Sequence, residues 1–451
     1  MDRWTGTAGA AVRRAVRWLS TRPPVRLSTF FRWLSTRPPV HLSTLLLFAA
    51  CASHPTKSND AACDPSITLP SGFCALVFAD TVGPARHIVV RSNGDVYVGI
   101  VDQRRVPGGV LALRDTNKDG HADLSARFGE TGVHGVALQS DSTLIASTGD
   151  QVLRFHLTAK LGTRGRVDTM IAGLAERPIP SHSLAIDFKG NLLVDIGANS
   201  NGCAPSKDPS APGANPCPEL ETSGGIWKFK LEPPHQTLAN GTRIATGLHN
   251  AVALAVNPAD SAVIALSHGR DGLHEGWPAF FSEAEAAEAA GEEMVRVASS
   301  RADFGWPYCY YDYLKDERKL APEYGGDGRS TERCDHMIQP LVTFPAHWSP
   351  MSIQFYTGAM FPAEYKGGAF IAFHGSSFRR PMPEDGYEVI FLHFKNGQAT
   401  TYTPFATGFA GGTLSPTGAA HRAVGLAQGP DGALYLTDDK GGRIWKIVYR
   451  K

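Results

Sequence analysis

One phrase recurs along this chain and restricts its fold more than any other feature. Its last copy, HRAVGLAQGPDGALYLTDDKGGRIW over residues 421–445, is apolar-rich at 424–427, breaks at Gly429-Pro430-Asp431-Gly432, resumes at 433–436 and turns again at Lys440-Gly441-Gly442. Short apolar runs separated by Gly-rich turns are the pattern of antiparallel strands in a meander. Earlier copies begin at Arg86, His134, His182, His249 and Met351, each a run of apolar-rich residues that leads through a turn to a second run. Six copies of a four-stranded unit predict an all-β chain folded as a six-bladed β-propeller.

Counted from Arg86, His134, His182, His249, Met351 and Arg422, successive copies stand 48, 48, 67, 102 and 71 residues apart. The short steps hold little beyond a bare blade, so the longer ones need insertions. The sequence offers two Cys-bounded loops, 203–217 and 309–334, and a short helix over 282–298, where Ser282 and Glu285 form a capping box before an Ala- and Glu-rich run. The first strand of a blade lines the propeller axis. Residues at its start should therefore face the ring centre: Arg86, His87, His134, His182, His249, Asn250, His421 and Arg422. Guanidinium and imidazole groups converging on one axis suit a small anionic ligand.

With 42% apolar and 19% charged residues in 451, the chain can bury a sizeable core. Its net charge of +1 hides an asymmetry, because residues 1–50 carry eight Arg against one Asp and leave the remainder near −6. That balance argues against nucleic acid as a partner. The same N-terminal segment repeats RWLSTRPPV from Arg17 and Arg32 and ends in LLLFAAC at Cys51, with Phe48 where lipoprotein cleavage sites usually carry Leu. An Arg-rich head, an apolar run too short to span a bilayer and small residues before a Cys resemble a bacterial secretory leader. Residues 1–51 are thus expected to direct export to the periplasm, with lipid attachment of Cys51 to a membrane left open. Residues 52–62 would be a linker and 63–451 the propeller domain. The other six cysteines allow fifteen pairings; short loops in an oxidised protein favour Cys63–Cys74, Cys203–Cys217 and Cys309–Cys334.

Asp115, Asn117, Asp119 and Asp123 alternate around Gly120 as in a Ca²⁺ loop, but Phe128 and Gly129 follow where an EF-hand would place its Glu. A plain Asp-rich turn and a bound ion both remain open there. More specific are GRDGL from Gly269, DFGWPYC from Asp303, GLHN from Gly247, HGSSFR from His374 and PARHI from Pro84. Together these resemble the glucose/sorbosone dehydrogenase family, the quinoprotein sugar dehydrogenases that include secreted pyranose dehydrogenases, over about residues 70–448.

The resemblance implies pyrroloquinoline quinone (PQQ) over the propeller axis, Ca²⁺ beside it, and oxidation of a sugar hydroxyl or hydrated aldehyde by hydride transfer. A cofactor with three carboxylates and an electrophilic ortho-quinone calls for several fixed cations and a Lewis acid. By resemblance the cofactor would be held by Arg86, His249, Asn250, His374, Arg422 and Arg379 or its neighbour Arg380. Gly269, Arg270 and Asp271 would hold the metal, and His182 would be the base. Two departures stand out: the family usually has Arg where this chain has His249, and its His commonly precedes the position of His182, at Pro178-Ile179-Pro180 here. No CxxCH haem motif occurs, so electrons must leave to a separate acceptor. Two other functions fit a six-bladed propeller. One is a Ca²⁺-dependent sugar lactonase, disfavoured because the axial positions read as His and Arg rather than carboxylates. The other is a non-catalytic binding module, kept open by the two departures.

Overall fold

The computed structural model describes residues 62–103, 106–175, 182–298, 302–395 and 397–450. Six sheets, each with four antiparallel strands, form the blades; the two-residue strand Ala302–Asp303 adds to blade 3 in parallel, the fourth strand of blade 4 follows an insertion, and the last blade closes the ring. Blade 1 comprises Ala85–Val90, Val96–Ile100, Gly109–Arg114 and Leu124–Phe128; blade 2 comprises Val136–Ser140, Thr143–Ser147, Val152–His156 and Asp168–Ile171. Blade 3 runs from Leu184–Ile186 through Asn191–Ile196 and Gly225–Lys230 to Thr242–Thr246, and blade 4 from Ala253–Val256 through Val263–Ser267 and Glu292–Val297 to Val342–Phe344. Blade 5 holds Pro350–Phe355, Ala369–His374, Tyr387–Lys395 and Gln398–Ala406. Blade 6 takes Ala423–Gln428, Leu434–Asp438 and Ile444–Tyr449 from the C-terminus, and its outermost strand is Phe73–Ala79 from the other end of the chain. Its six residue pairs with the C-terminal strand could not be read from the repeat alone; the register joins Phe73 to Tyr449 and Val77 to Trp445.

First strands of neighbouring blades contact one another around the whole ring. At the seam between blades 6 and 1 this approach is so close that a Cβ on Gly425 would lie 2.4 Å from the Arg86 carbonyl oxygen, so only glycine fits. Second strands such as Val96–Ile100 and Asn191–Ile196 are buried along their full length, because a neighbouring blade covers each face. The largest inter-blade core joins blades 5 and 6 through Phe370, Phe391, Phe405, Phe409 and Trp445.

The three neighbour pairs of cysteines are disulfides as anticipated. Two of them share a small core with Trp306 and Tyr308, outside the blades proper. The helix is shorter than the 282–298 expected: it spans Glu283–Ala289 with the Ser282/Glu285 capping box, and Glu292–Val297 is instead the third strand of blade 4. Pairing with Val263–Ser267 outweighs the helical propensity of the Ala- and Glu-rich run. The Asp115 loop is a self-satisfied turn, its Asp115 carboxylate taking the amides of Asp119 and Gly120 and its Asn117 oxygen the Asp119 amide. Among the described residues no helix is long and apolar enough to cross a membrane.

Candidate active site at the propeller axis

A cavity of about 540 Å³ opens over one end of the axis. Local backbone irregularities aim side chains into it. The first strands of blades 1, 5 and 6 each shift register at their axial ends, between Ala85 and Ile88, Pro350 and Ser352, and Ala423 and Leu426. A bulge turns a side chain away from the face that simple alternation would give it. His347 and Ser349, which lead into blade 5, border the cavity with left-handed φ of 65° and 60°. Such strain in non-glycine residues gathers at functional sites.

One wall is cationic. Arg86 gives its Nη1 hydrogen to Asp439 Oδ2 at 2.7 Å, and His374 Nε2 lies 2.7 Å from the other oxygen of the same carboxylate. Arg422 donates Nε to the His374 carbonyl and Nη2 to that of Gly375, at 2.8 and 2.9 Å. Both guanidiniums line the cavity, and among the described residues their remaining nitrogens have no further hydrogen-bond partner. Burial would raise the Asp439 pKa, but His374 and Arg86 together hold it well below the ordinary carboxylate range. Asp439 is therefore a permanent anion that fixes two cavity side chains.

A second part of the lining is acidic. Glu292 is 1% exposed and receives the Ser349 and Gly269 amides at 2.9 and 3.0 Å. Burial nevertheless pushes its carboxyl up to about 7. Asp271 takes the Asn201 side-chain oxygen on its amide and lies 3.1 Å from His347 Nδ1. Burial works against the charged form of His347, and Asp271 outweighs it and holds the imidazole above its usual value. Asn199, Ser200 and Asn201 complete this side from the insertion closed by Cys203–Cys217.

Of the residues singled out from the sequence, the cavity gathers Arg86, His249, Asn250, Gly269, Asp271, His374 and Arg422. His249 Nδ1 lies 3.2 Å from the Gly269 carbonyl, and its ring is 6.0 Å from that of Trp306. His182 is not among them. It is completely buried, with Nδ1 2.9 Å from the Asp195 carbonyl and Nε2 3.1 Å from that of Gly149, so both ring nitrogens meet backbone carbonyls. The Pro178-Ile179-Pro180 departure lies outside the described residues. Arg270 turns its side chain away into a buried ion pair with Glu323, at 2.5 and 2.7 Å. Arg379 likewise serves the frame, bonding Glu288 and the carbonyls of Ala346 and Pro383. Arg380 lines a neighbouring pocket.

The ring of axial cations also needs correction. Burial, reinforced by Arg86, lowers His87 to about 4 and His134 to about 3, so both are neutral near pH 7. His421 packs on Trp445 and pairs with Asp438 at 2.6 Å inside blade 6. Sequence reasoning missed Asp439, Glu292, His347, His268 and Asn201. Glu292 was hidden in the expected helix, and Asp439 follows Asp438 in the repeat with nothing to mark it as the partner of Arg86.

A family model described as TrAA12-like matches residues 67–450. The chain belongs to the TrAA12-like family. A pyrroloquinoline quinone-dependent sugar dehydrogenase of Hypocrea jecorina strain QM6a is 23% identical to this TrAA12-like chain over 440 residues, covering 89% of it and 94% of the relative. An uncharacterized protein of Borreliella burgdorferi is 27% identical over 271 residues, 59% of this chain, and the chain spans only 60% of that relative's length. Among solved structures, an iodide structure of the Trichoderma reesei family AA12 enzyme superposes with a TM-score of 0.71 at 21% identity, over 85% of this chain and 98% of that one. The holo PQQ domain of a pyranose dehydrogenase from Coprinopsis cinerea gives 0.68 at 17% identity, over 85% and 97%. At such identities the structural likeness speaks for the TrAA12-like fold alone.

Proposed function

We propose that this chain is an exported quinoprotein oxidoreductase that oxidises a hydroxyl or hydrated aldehyde of a small sugar, with PQQ seated in the axial cavity and a separate acceptor taking the electrons. The observation that carries this reading is the fixed guanidinium pair. Arg86 and Arg422 stand on adjoining blades with part of each donor set turned to the cavity, and the Asp439 charge offsets only one of them. A planar tricarboxylate fits that donor set, since guanidinium forks match carboxylates in charge and geometry. The volume of about 540 Å³ lies within the range of ligand pockets.

Bound there, the quinone would supply a two-electron, hydride-accepting centre. The chain's own residues do the rest. Arg86 and Arg422 orient the cofactor by its carboxylates, and His249 and Asn250 form the floor on the blade 4 side. The Gly269 carbonyl and the Asp271 carboxylate are the groups that would face Ca²⁺, with the ligand's own oxygens completing its shell. Asn199, Asn201 and His268 present polar groups to sugar hydroxyls, and the ring of Phe378, 57% exposed at the rim, offers an apolar face for the sugar's C–H side.

A lactonase has one observation in its favour, because Asn250, Asp271 and Glu292 do line the cavity. Glu292, however, commits both oxygens to backbone amides, which leaves the lactonase set one carboxylate short. Among the described residues no three His, Cys, Asp or Glu side chains converge to hold a metal.

Titrating purified protein with PQQ, with and without Ca²⁺, tests the proposal. A saturable shift of the quinone spectrum is expected, followed by sugar-dependent reduction of an artificial dye. Arg86→Ala and Arg422→Ala should each weaken quinone binding by about 1.5–3 kcal/mol, the scale of a lost charged hydrogen bond. Absence of saturable binding, or unchanged affinity in both variants, would overturn it.

A further inference from the structure

We infer that His374 and Asp439 act as a proton-accepting dyad in the oxidation proposed above, on which this inference rests: His374 is the catalytic base and Asp439 the residue that positions it. His374 ends the second strand of blade 5, Ala369–His374, and Asp439 follows the second strand of blade 6, Leu434–Asp438. Their side chains meet at 2.7 Å with exposures of 13% and 16%, so the pair is mostly withdrawn from water, and His374 lines the cavity. The backbone around the imidazole is clamped, its amide donating to the Ser349 carbonyl and its own carbonyl receiving Arg422.

An ionised carboxylate can only accept hydrogen bonds, so Asp439 requires the hydrogen of neutral His374 to sit on Nε2. Nδ1 then carries the lone pair, and it has no hydrogen-bond partner among the described residues. The same logic orients the imidazole in carboxylate–histidine catalytic pairs generally. Other histidines near the axis are engaged differently. His87 and His268 bond the carbonyls of Met351 and Pro350, His182 lies between two carbonyls, and His347 shares a charge with Asp271.

The charged and titratable groups around the ring are Asp439, Arg86 and Arg422, with Tyr387 in register on the adjacent strand. Burial, aided by the two arginines, lowers the His374 pKa despite Asp439, so the ring is neutral and receptive near pH 7. A polyanion bound to the arginines would offset their repulsion as a proton arrives. A bound quinone, the oxidant of the proposed reaction, would supply the acceptor for the hydride and its two electrons that leave the sugar carbon. The hydroxyl proton passes to Nδ1, and the C–O single bond becomes a carbonyl.

Nitrogen-15 NMR of the quinone-free protein, with the signal assigned through His374→Gln, tests the geometry without any turnover. The wild type should show the Nε2–H tautomer, and Asp439→Asn, whose amide can donate to Nε2, should shift it to Nδ1–H. At saturating quinone both variants should lose about 10²–10⁴ in kcat. In His374→Gln, which leaves Arg86 and Asp439 paired, quinone Kd should stay within about fivefold, roughly 1 kcal/mol, and the acid limb of the kcat profile should vanish. A wild-type Nδ1–H tautomer, kcat within tenfold of wild type in both variants, or a loss confined to quinone affinity would overturn the dyad. A wild type that binds quinone but oxidises no sugar would instead strike the sugar-oxidation proposal, leaving the tautomer measurement to judge the dyad.

Discussion

Replacing Arg270 by Met separates a structural role from the metal-binding role that the GRDGL motif suggests. Its guanidinium makes two charge-assisted hydrogen bonds to Glu323, and the two side chains are 5% and 4% exposed. Arg270→Met leaves the Glu323 carboxylate buried without its partner, which costs about 3–5 kcal/mol for a pair of this kind. The loss should spread to the cavity wall, because Gly202 packs so tightly on Glu323 that a Cβ there would lie 2.5 Å from its carboxyl group, and Asn201 beside it holds the Asp271 amide. Arg270→Met/Glu323→Leu removes both charges and should recover most of the loss, giving a coupling of about 2 kcal/mol or more. Urea denaturation followed by tryptophan fluorescence reads the cycle, and quinone titration of the same variants reads the site. Losses that add in the double variant, or a single variant within about 1 kcal/mol of wild type, would refute the reasoning. Unchanged stability with abolished Ca²⁺ or quinone binding would return Arg270 to the metal site.

His182→Ala should lower stability by about 2–4 kcal/mol, from a buried cavity and the carbonyls it leaves unpaired. Turnover at full quinone occupancy should fall less than tenfold, and a larger loss would restore His182 as the base. Glu388 provides a pH test. Burial, with a contribution from Asp385, pushes its carboxyl up to about 7. The folded state therefore holds this proton more tightly than the unfolded chain, and its ionisation destabilises the fold as pH rises from about 4.5 to 7. Glu388→Gln should stabilise the protein by about 1–2 kcal/mol at pH 8, a value discounted for partial exposure, and by nothing below about pH 4.5. Equal effects at pH 8 and pH 4 in denaturant melts would contradict this.

The architecture was legible because it is written in local terms. Strand period, Gly-rich turns and a repeated phrase are properties of neighbouring residues, so blade number and all-β class follow from them, as do three disulfides that close loops of 11, 14 and 25 residues. The candidate site was legible only as a set of residue types. Arg86, His249, Asn250, His374 and Arg422 stand in quotable motifs and do meet in one cavity, whereas His134, His182 and His421, which begin their repeats in the same way, do not. Neighbouring positions at a strand start point to opposite faces, and a single bulge reverses them. Arg86 and Asp439 are separated by 353 residues and become partners only because the ring closes, with Phe73–Ala79 completing the blade that holds Asp439 beside the first. Motif and periodicity thus determined what the chain contains and how it repeats. Closure of the ring decided which charges face one another, because a pairing between distant strands depends on the geometry of all six blades and on no local stretch of sequence.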